Sequence, residues 1–212
     1  MKTKIFNLII IDESGSMEII KQQAIDSVNE TIQTIRAAQE RNENQEHYVS
    51  LVSFNDRVKT INDCVAIDKV QELTADTYQP NCCTALFDAI GMSLNALCRK
   101  VADVDKVLVT VVTDGYENAS REYSGQAIKV LIEKLKAKGW VFAYIGANHD
   151  IEAVATSIAI SNTMSFKTTD EGVKGMSHRV AYSRGDWYDK VAKGEANSEE
   201  DNKNFFRKWA DK

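Results

Sequence analysis

Histidine, cysteine and proline are scarce in this sequence. The three histidines are scattered, and the four cysteines (Cys64, Cys82, Cys83 and Cys98) include no C-x-x-C spacing. Zinc sites and disulfide frameworks depend on such clusters, so the sequence predicts neither. Because no export signal is recognisable, we expect reduced thiols in a cytoplasmic protein.

The sequence also lacks an excess of basic charge and any apolar run of membrane-spanning length. Lys and Arg number 26 against 31 Asp and Glu, which gives a net charge of -5. This balance provides no basic footprint for nucleic acid or an anionic membrane. The apolar run near the start is too short for a signal peptide, reaches Asp12 and has no small-residue cleavage site. We therefore expect a soluble cytoplasmic protein that binds neither nucleic acid nor membrane.

Apolar segments alternate between strand and helix patterns over the first 168 residues. Strands are predicted at residues 5–11, 48–54, 106–113, 140–145 and 163–166, with an antiparallel edge strand at 58–67. Helices are predicted over residues 17–39, after Thr84, over 124–138 and over 151–158.

This alternation predicts an α/β fold. We expect a doubly wound, Rossmann-like, mostly parallel sheet of order 3-2-1-4-5-6, with one antiparallel edge strand and helices on both faces. The 212 residues are enough for one domain with a substantial core. Residues 1–168 are interpreted as this domain. Residues 169–212, where the pattern fades into charge, are interpreted as a C-terminal extension that packs on it.

Two of the buried strands end at an acid. The first ends at Asp12, which is followed by Ser14 and Ser16, and the fourth ends at Asp114. In a sheet of this order the two strands are neighbours at the topological switch point, so the carboxylates should face each other across a crevice. The loop that holds Thr84 can reach the same crevice.

The residue types at this crevice are hard oxygen ligands, the kind that Mg²⁺ takes in proteins. A divalent ion would also remove the repulsion between the two acids. As an alternative, the same aspartate and serines could serve only as caps of the helix start.

Three segments resemble the metal-binding loops of the von Willebrand factor A domain family. They are D-E-S-G-S at residues 12–16, T-A-L-F-D-A-I at residues 84–90 and T-D-G-Y-E-N at residues 113–118. In that family such loops build a metal-ion-dependent adhesion site, or MIDAS, and the resemblance covers about residues 4–167. It implies that Mg²⁺ or Mn²⁺ is bound by Asp12, Ser14, Ser16, Thr84 and Asp114. Where relatives with G-G-T have glycines before the threonine, this chain has two cysteines.

The chemistry of the predicted site favours binding over catalysis. Neutral hydroxyls donate less charge than carboxylates, so the ion stays electrophilic and its open position takes an anionic oxygen. The resemblance implies that this oxygen belongs to an Asp or Glu of a protein partner. The sequence shows no second acid/base set, no activated nucleophile and no histidine base. We therefore predict a metal-dependent protein-interaction module and no enzyme.

Two other interpretations stay open. A phosphatase of haloacid-dehalogenase type would use the Asp at the end of the first strand to attack phosphate beside magnesium. Its D-x-D pattern has Ser14 at the third position in this chain. The protein could also be a scaffold whose metal site is vestigial.

Several other polar residues and the cysteines receive structural interpretations. A solvated rim around the site is expected from Glu13, Glu18, Glu117 and Asn118, with a role in partner choice as the alternative. Cys64 and Cys98 are predicted to be buried hydrophobes. Cys82 and Cys83 are interpreted as small filler, with a vicinal disulfide or redox switch as the alternative.

Aromatic residues are the main apolar feature after the last predicted strand. They are Trp187, Tyr188, Phe205, Phe206 and Trp209. The spacing of the last three fits a short helix that packs back on the sheet. A helix that docks a partner is the alternative.

Overall fold

A computed structural model describes residues 2–147, 151–167 and 169–206. Six strands occur within these residues: β1 (Thr3–Asp12), β2 (Gln45–Phe54), β3 (Val58–Ala66), β4 (Lys106–Thr113), β5 (Val141–Ala147) and β6 (Thr163–Phe166). They form one sheet in the order β3-β2-β1-β4-β5-β6. The β2 and β3 strands are antiparallel, and the other neighbouring pairs are parallel. The predicted fold class and strand order are confirmed.

Helices cover both faces of this sheet. The described residues contain α1 (Lys21–Arg41), α2 (Leu86–Cys98), α3 (Gly125–Lys136), α4 (Ile151–Ser157), α5 (Asp170–Lys193) and α6 (Ser198–Asn204). Short 3₁₀ turns span Gly15–Ile20 and Ile67–Lys69. The first predicted helix therefore begins as a 3₁₀ turn and becomes α-helical at Lys21. None of the helices in the described part of the chain has both the length and the apolarity needed to cross a membrane.

The β1 strand lies at the centre of the sheet, and every residue from Ile5 to Asp12 is buried. Ile9 and Ile11 pack on the face covered by α1 and α5, whereas Leu8 and Ile10 pack on the face covered by α2 and α3. Burial on both faces is the rule for parallel sheets and explains the unbroken apolar run in the sequence. The central position of β1 puts its carboxyl end, and therefore Asp12, at the switch point.

The α5 helix is the largest feature that the sequence interpretation missed. The prediction that the pattern fades after residue 168 was wrong, because a helix of 24 residues follows. Val173, Met176 and Val180 lie on its buried face, and Trp187 and Tyr188 continue that face against the sheet. Helix-weakening glycines and many charged residues within this segment hide the apolar spacing. The division of the chain at residue 168 stays a prediction.

The aromatic residues at the end of the described chain belong to the core. Phe205 is buried and donates its backbone N–H to Asn162 Oδ1 (3.0 Å), and its ring contacts Phe206 edge-on. The α6 helix ends at Asn204, before these rings. Trp209 of the predicted short helix, like His149, lies outside the described residues.

Candidate metal centre

Asp12 is the last residue of β1, and its carboxylate is fully buried and fixed on both oxygens. Oδ1 accepts the backbone N–H of Ser14 (2.7 Å), and Oδ2 accepts the hydroxyl of Thr113 (2.5 Å). Thr113 is the last residue of the neighbouring strand β4. Tyr78 donates its hydroxyl to the Asp12 backbone carbonyl (2.6 Å). These contacts hold the carboxylate at the edge of the sheet in one orientation.

Ser14 and Ser16 connect this edge to Asp114. The Ser16 hydroxyl donates to Asp114 Oδ1 (2.6 Å) and lies 3.2 Å from the Ser14 hydroxyl oxygen. Ser14 precedes the 3₁₀ turn, but its side chain does not cap a backbone N–H there. The cap interpretation therefore does not explain the Ser14 side chain. Asp12 does accept a backbone N–H just before the turn, that of Ser14. The structure brings Asp12, both serines and Asp114 together.

Thr84 joins the same group through Gly115. A Cβ atom added to Gly115 would lie 3.3 Å from Thr84 Oγ1, 3.8 Å from Ser16 Oγ and 3.9 Å from Asp12 Oδ2. Oxygens from two loops, the one after β1 and the one before α2, therefore lie around one point on the loop after β4, and a side chain at Gly115 would fill the space between them. All five predicted site residues converge on this cradle. Its donors are carboxylates and hydroxyls, which fit a hard divalent cation such as Mg²⁺ or Mn²⁺.

The charge at this cradle is negative and unbalanced. Burial raises the pKa of Asp12 to about 6, and the charge of Asp114 adds to the rise, while hydrogen bonds from Thr113 and Ser14 oppose it. Neither Asp12 nor Asp114 forms an ion pair among the described residues. The described residues also contain no group of three or more His, Cys, Asp or Glu side chains that could hold a metal. A metal here would therefore depend on the hydroxyls as well as the two acids.

A polar clamp, which we define as Asp88, Glu117 and Asn118, locks the Thr84 loop to the loop after β4. Thr84 donates its N–H to Asn118 Oδ1 (2.9 Å), and the Thr84 carbonyl accepts the N–H of Asn118 (3.0 Å). Glu117 accepts the N–H of Phe87 in the first turn of α2 (2.9 Å). The Asp88 carboxylate accepts three backbone N–H groups from residues 121–123. The clamp therefore makes Thr84 and the loop that follows Asp114 one connected unit.

The expected solvated rim is only partly correct. Glu18 is exposed, but Glu13 is buried and accepts the backbone N–H of Gln79 (2.5 Å). Glu117 is half-buried, and its oxygens accept the backbone N–H groups of Phe87, Ala119 and Ser120. Sequence reasoning missed these roles because the acceptors serve backbone groups that only the folded loops bring within reach. An acid two residues after Gly115 of the D-G pair was the one available signal.

The cysteines also differ from expectation. Cys98 is exposed, since it is the last residue of α2, and Cys64 is half-buried. Cys82 and Cys83 are both exposed, so they do not act as filler. The backbone of Cys82 is left-handed, with φ = 63°.

Comparison with known proteins finds one family model and several solved structures that are similar to this chain. A family profile described as "von Willebrand factor type A domain" matches residues 8–178. No curated protein sequence matches the chain.

Solved structures with a similar fold include a mutant of the PilB minor pilin from Streptococcus sanguinis, with a TM-score of 0.60 and 14% identity over 93% of this chain and 64% of that chain. The vWF domain of the type V pili tip protein Mfa5 from Porphyromonas gingivalis has a TM-score of 0.57 and 9% identity over 86% of this chain and 96% of that chain.

Proximal thread matrix protein 1 from the mussel byssus, solved with a zinc-occupied MIDAS motif, has a TM-score of 0.53 and 16% identity. That match covers 87% of this chain and 46% of that chain, so the present chain spans about half the length of the byssus protein. At these identities the structural similarity establishes the fold.

Proposed function

Because this chain belongs to the von Willebrand factor type A domain family, we propose that it is a divalent-metal-dependent protein-interaction module. Domains of this family are generally interaction modules and not enzymes, and their MIDAS binds a divalent metal. The proposed ligands of the ion are Asp12, Ser14, Ser16, Thr84 and Asp114. The proposed ion is Mg²⁺ or Mn²⁺, and the proposed partner is a protein that presents an Asp or Glu carboxylate.

The observation that carries this proposal is the set of oxygens around Gly115. Thr84, Ser16 and Asp12 each place an oxygen within 4 Å of the position that a Gly115 Cβ would take. Two carboxylates lie at this cradle without an ion pair among the described residues, and a bound cation would balance their charge.

The residues of this chain have distinct tasks at the site. Thr113 and the Ser14 backbone orient Asp12, Ser16 orients Asp114, and the clamp positions Thr84. Mg²⁺ takes about six oxygen ligands, and five side chains supply at most five of them. A bound ion would supply an electrophilic position for an oxygen from outside the chain. An acidic side chain of a partner fits that position best because it also offsets the positive charge of the ion.

The choice of ion rests on the donors. Oxygen ligands without sulfur or imidazole favour Mg²⁺ and Mn²⁺, although the byssus protein was solved with zinc at its MIDAS motif. The phosphatase alternative lacks its second acid, since Ser14 holds that position. A cytoplasmic location also stays a prediction.

Thermal unfolding with and without Mg²⁺ tests the metal site. A ligand at about 100 times its Kd stabilises the folded state by about 2.7 kcal/mol, which raises the Tm of a domain of this size by several degrees. We expect this rise in the unmodified chain and in Thr156→Ala, an exposed threonine on α4. We expect no rise in Ser14→Ala or Thr84→Ala. An equal Tm with and without Mg²⁺ or Mn²⁺ would leave the vestigial scaffold as the better account.

Partner binding tests the interaction role. Proteins retained by the immobilised chain in Mg²⁺ should be released by EDTA and should not be retained by Ser14→Ala or Thr84→Ala. Binding of metal and partner should each strengthen the other by the same factor, as thermodynamic linkage requires. A specific partner with the same affinity in EDTA and in Mg²⁺ would show that the site is not the docking surface.

A further inference from the structure

Cys82 and Cys83 form an exposed pair of neighbouring thiols beside the candidate metal centre. Both side chains are exposed, and Thr84 follows directly. Exposure makes the thiols available to oxidants, and adjacency gives each thiol a resolving partner in the same loop. The metal proposal uses neither thiol.

The backbone at Cys82 bends the chain between the two residues. In an extended segment successive side chains point to opposite sides, which keeps neighbouring sulfur atoms apart. Cys82 instead has φ = 63°, a left-handed conformation that is uncommon for residues other than glycine. Cys82 therefore occupies a conformation that a glycine would adopt more easily. A left-handed residue turns the chain, so the opposite placement of side chains in an extended segment does not apply to these two thiols.

The loop around the two cysteines is attached to the site at both ends. The Cys82 carbonyl accepts the N–H of Gly15 (3.2 Å), and Asn81 donates its N–H to the Glu13 carbonyl (2.9 Å). On the other side, the Thr84 N–H and carbonyl are bound by Asn118. A ring closed between Cys82 and Cys83 would therefore lie between two fixed points. The change in backbone conformation that closes the ring would therefore move Gly15 or Thr84, both of which belong to the loops of the site.

We propose that Cys82 and Cys83 are a peroxide-sensitive modification site, and that their oxidation to an intramolecular disulfide displaces Thr84. One thiolate attacks a peroxide oxygen, the O–O bond breaks, and a sulfenic acid and hydroxide form. The second thiol then attacks the sulfenic sulfur, the S–S bond forms, and the hydroxyl leaves as water. Two thiols and one hydrogen peroxide thus give one disulfide and two waters, with the sulfurs oxidised and the peroxide reduced. The consequence for metal affinity rests on the proposed function, whereas the disulfide and the displacement of Thr84 do not.

The experiment treats the metal-free, reduced 212-residue chain with hydrogen peroxide and measures its intact mass. We expect the mass to fall by two hydrogen atoms, with the linkage mapped to the peptide that contains both residues. Cys98→Ser should behave in the same way, because this exposed thiol lies at the far end of α2. Cys82→Ser and Cys83→Ser should gain oxygen or stay unchanged. Oxidation without an intramolecular link between the two residues would overturn the proposal.

Amide hydrogen exchange then measures the displacement without metal. The Thr84 N–H, which is bound to Asn118 in the reduced chain, should exchange at least about tenfold faster after oxidation. Under the proposed function, oxidation should also weaken Mg²⁺ binding about ten- to a hundredfold, and a thiol reductant should restore it. Unchanged exchange at Thr84 in the disulfide form would overturn the coupling. Failure of the reduced chain to bind metal would contradict the proposed function instead, because the mass and exchange results are obtained without metal.

Discussion

Two polar clusters interrupt the apolar sheet along β1, one at its end and one near its middle. The acidic cluster at the end consists of Asp12, Ser14, Ser16, Thr84 and Asp114. The arginine cluster near the middle consists of Asn7, Thr110, Arg184 and Tyr188. Both contain a charge that has no oppositely charged partner among the described residues. They differ in what completes them and in whether solvent can reach them.

The arginine cluster is closed and built from neutral acceptors. Arg184 is fully buried and donates to Thr110 Oγ1 (2.6 Å), Tyr188 Oη (3.2 Å) and Asn7 Oδ1 (3.3 Å). The Tyr188 hydroxyl also donates to Asn7 Oδ1 (2.5 Å). These contacts join β1, β4 and α5 on the face of the sheet that α1 and α5 cover. The cluster therefore holds α5 in register over the core.

The acidic cluster lies at the carboxyl edge of the sheet and is partly open. Ser16 is exposed, whereas Asp12 is fully buried, so the cluster extends from the core to the surface. Both of its formal charges, on Asp12 and Asp114, are negative. We therefore propose a binding site only for the acidic cluster, because a ligand can reach it from solvent. In the arginine cluster, which solvent does not reach, the buried charge of Arg184 holds α5 on the sheet instead.

The largest effect on stability should come from removing Arg184 from the arginine cluster. Arg184→Ala leaves a cavity and unpaired polar groups in the core, which should lower the free energy of unfolding by about 3–5 kcal/mol. Lys174→Ala, an exposed cation on the same helix, should change it little. Urea denaturation measures both variants. Below the unfolding transition, Arg184→Ala should still bind Mg²⁺. Normal stability in this variant would contradict the role given to the arginine cluster.

The second effect is a loss of stability in acid that depends on His47. Burial lowers the pKa of His47 to about 4, and the charge of Arg184 on α5 adds to the decrease. The His47 ring is buried against Tyr188 and hydrogen bonds to Gln45, which contribute no charge. In the unfolded chain the histidine has an ordinary pKa near 6.5. Between about pH 4 and 6.5 the unfolded chain therefore binds a proton at His47 and the folded chain does not.

The contribution of His47 to stability is therefore complete above about pH 6.5 and lost as the pH falls toward 4. The pKa difference corresponds to about 3 kcal/mol. His47→Gln should flatten the stability profile in this range relative to the unmodified chain, while His178→Gln, an exposed histidine, should not. A profile with the same slope in His47→Gln and the unmodified chain would mean that other groups cause the acid loss.

A smaller effect should come from the clamp that supports the acidic cluster. Asn118→Ala removes the acceptor of the Thr84 N–H and should weaken Mg²⁺ binding about tenfold, with little change in the free energy of unfolding. Gln126→Ala, an exposed amide on α3, is the matched control. Calorimetric titration of both variants measures the difference. Equal affinities would show that Thr84 is held without the clamp.

The acidic cluster was predictable because its signals lie within short segments. A buried strand that ends at an acid, followed by hydroxyls, fixes where Asp12, Ser14 and Ser16 lie, and the alternation of elements brings Asp114 next to Asp12. The arginine cluster was not predictable. Its parts come from β1, β4 and α5, and α5 itself was hidden by glycines and charge. Arg184 lies on the buried face of that helix, at a position where a sequence pattern favours an apolar residue.

The clamp and the cysteines were missed for a related reason. Glu117 accepts backbone N–H groups from α2 and from its own loop, and hydrogen bonds of this kind depend on loop paths that residue types do not specify. Cys98 follows the apolar pattern of α2, but at the last residue of the helix the neighbouring elements no longer cover it. Sequence patterns therefore predicted the sheet and the ends of its strands, but not the α5 helix, the arginine cluster or the hydrogen bonds of the loops.

Calorimetric titration of Mg²⁺ into the reduced chain and into Asp12→Asn tests the central claim most directly. We expect the reduced chain to bind one ion with a micromolar to millimolar Kd. Asp12→Asn should bind none, and its metal-free form should unfold at the same or higher urea concentration, because one buried charge near Asp114 is gone. No binding by the reduced chain at about 10 mM Mg²⁺ or Mn²⁺, or equal binding by the two proteins, would contradict the claim that the acidic cluster is a metal site.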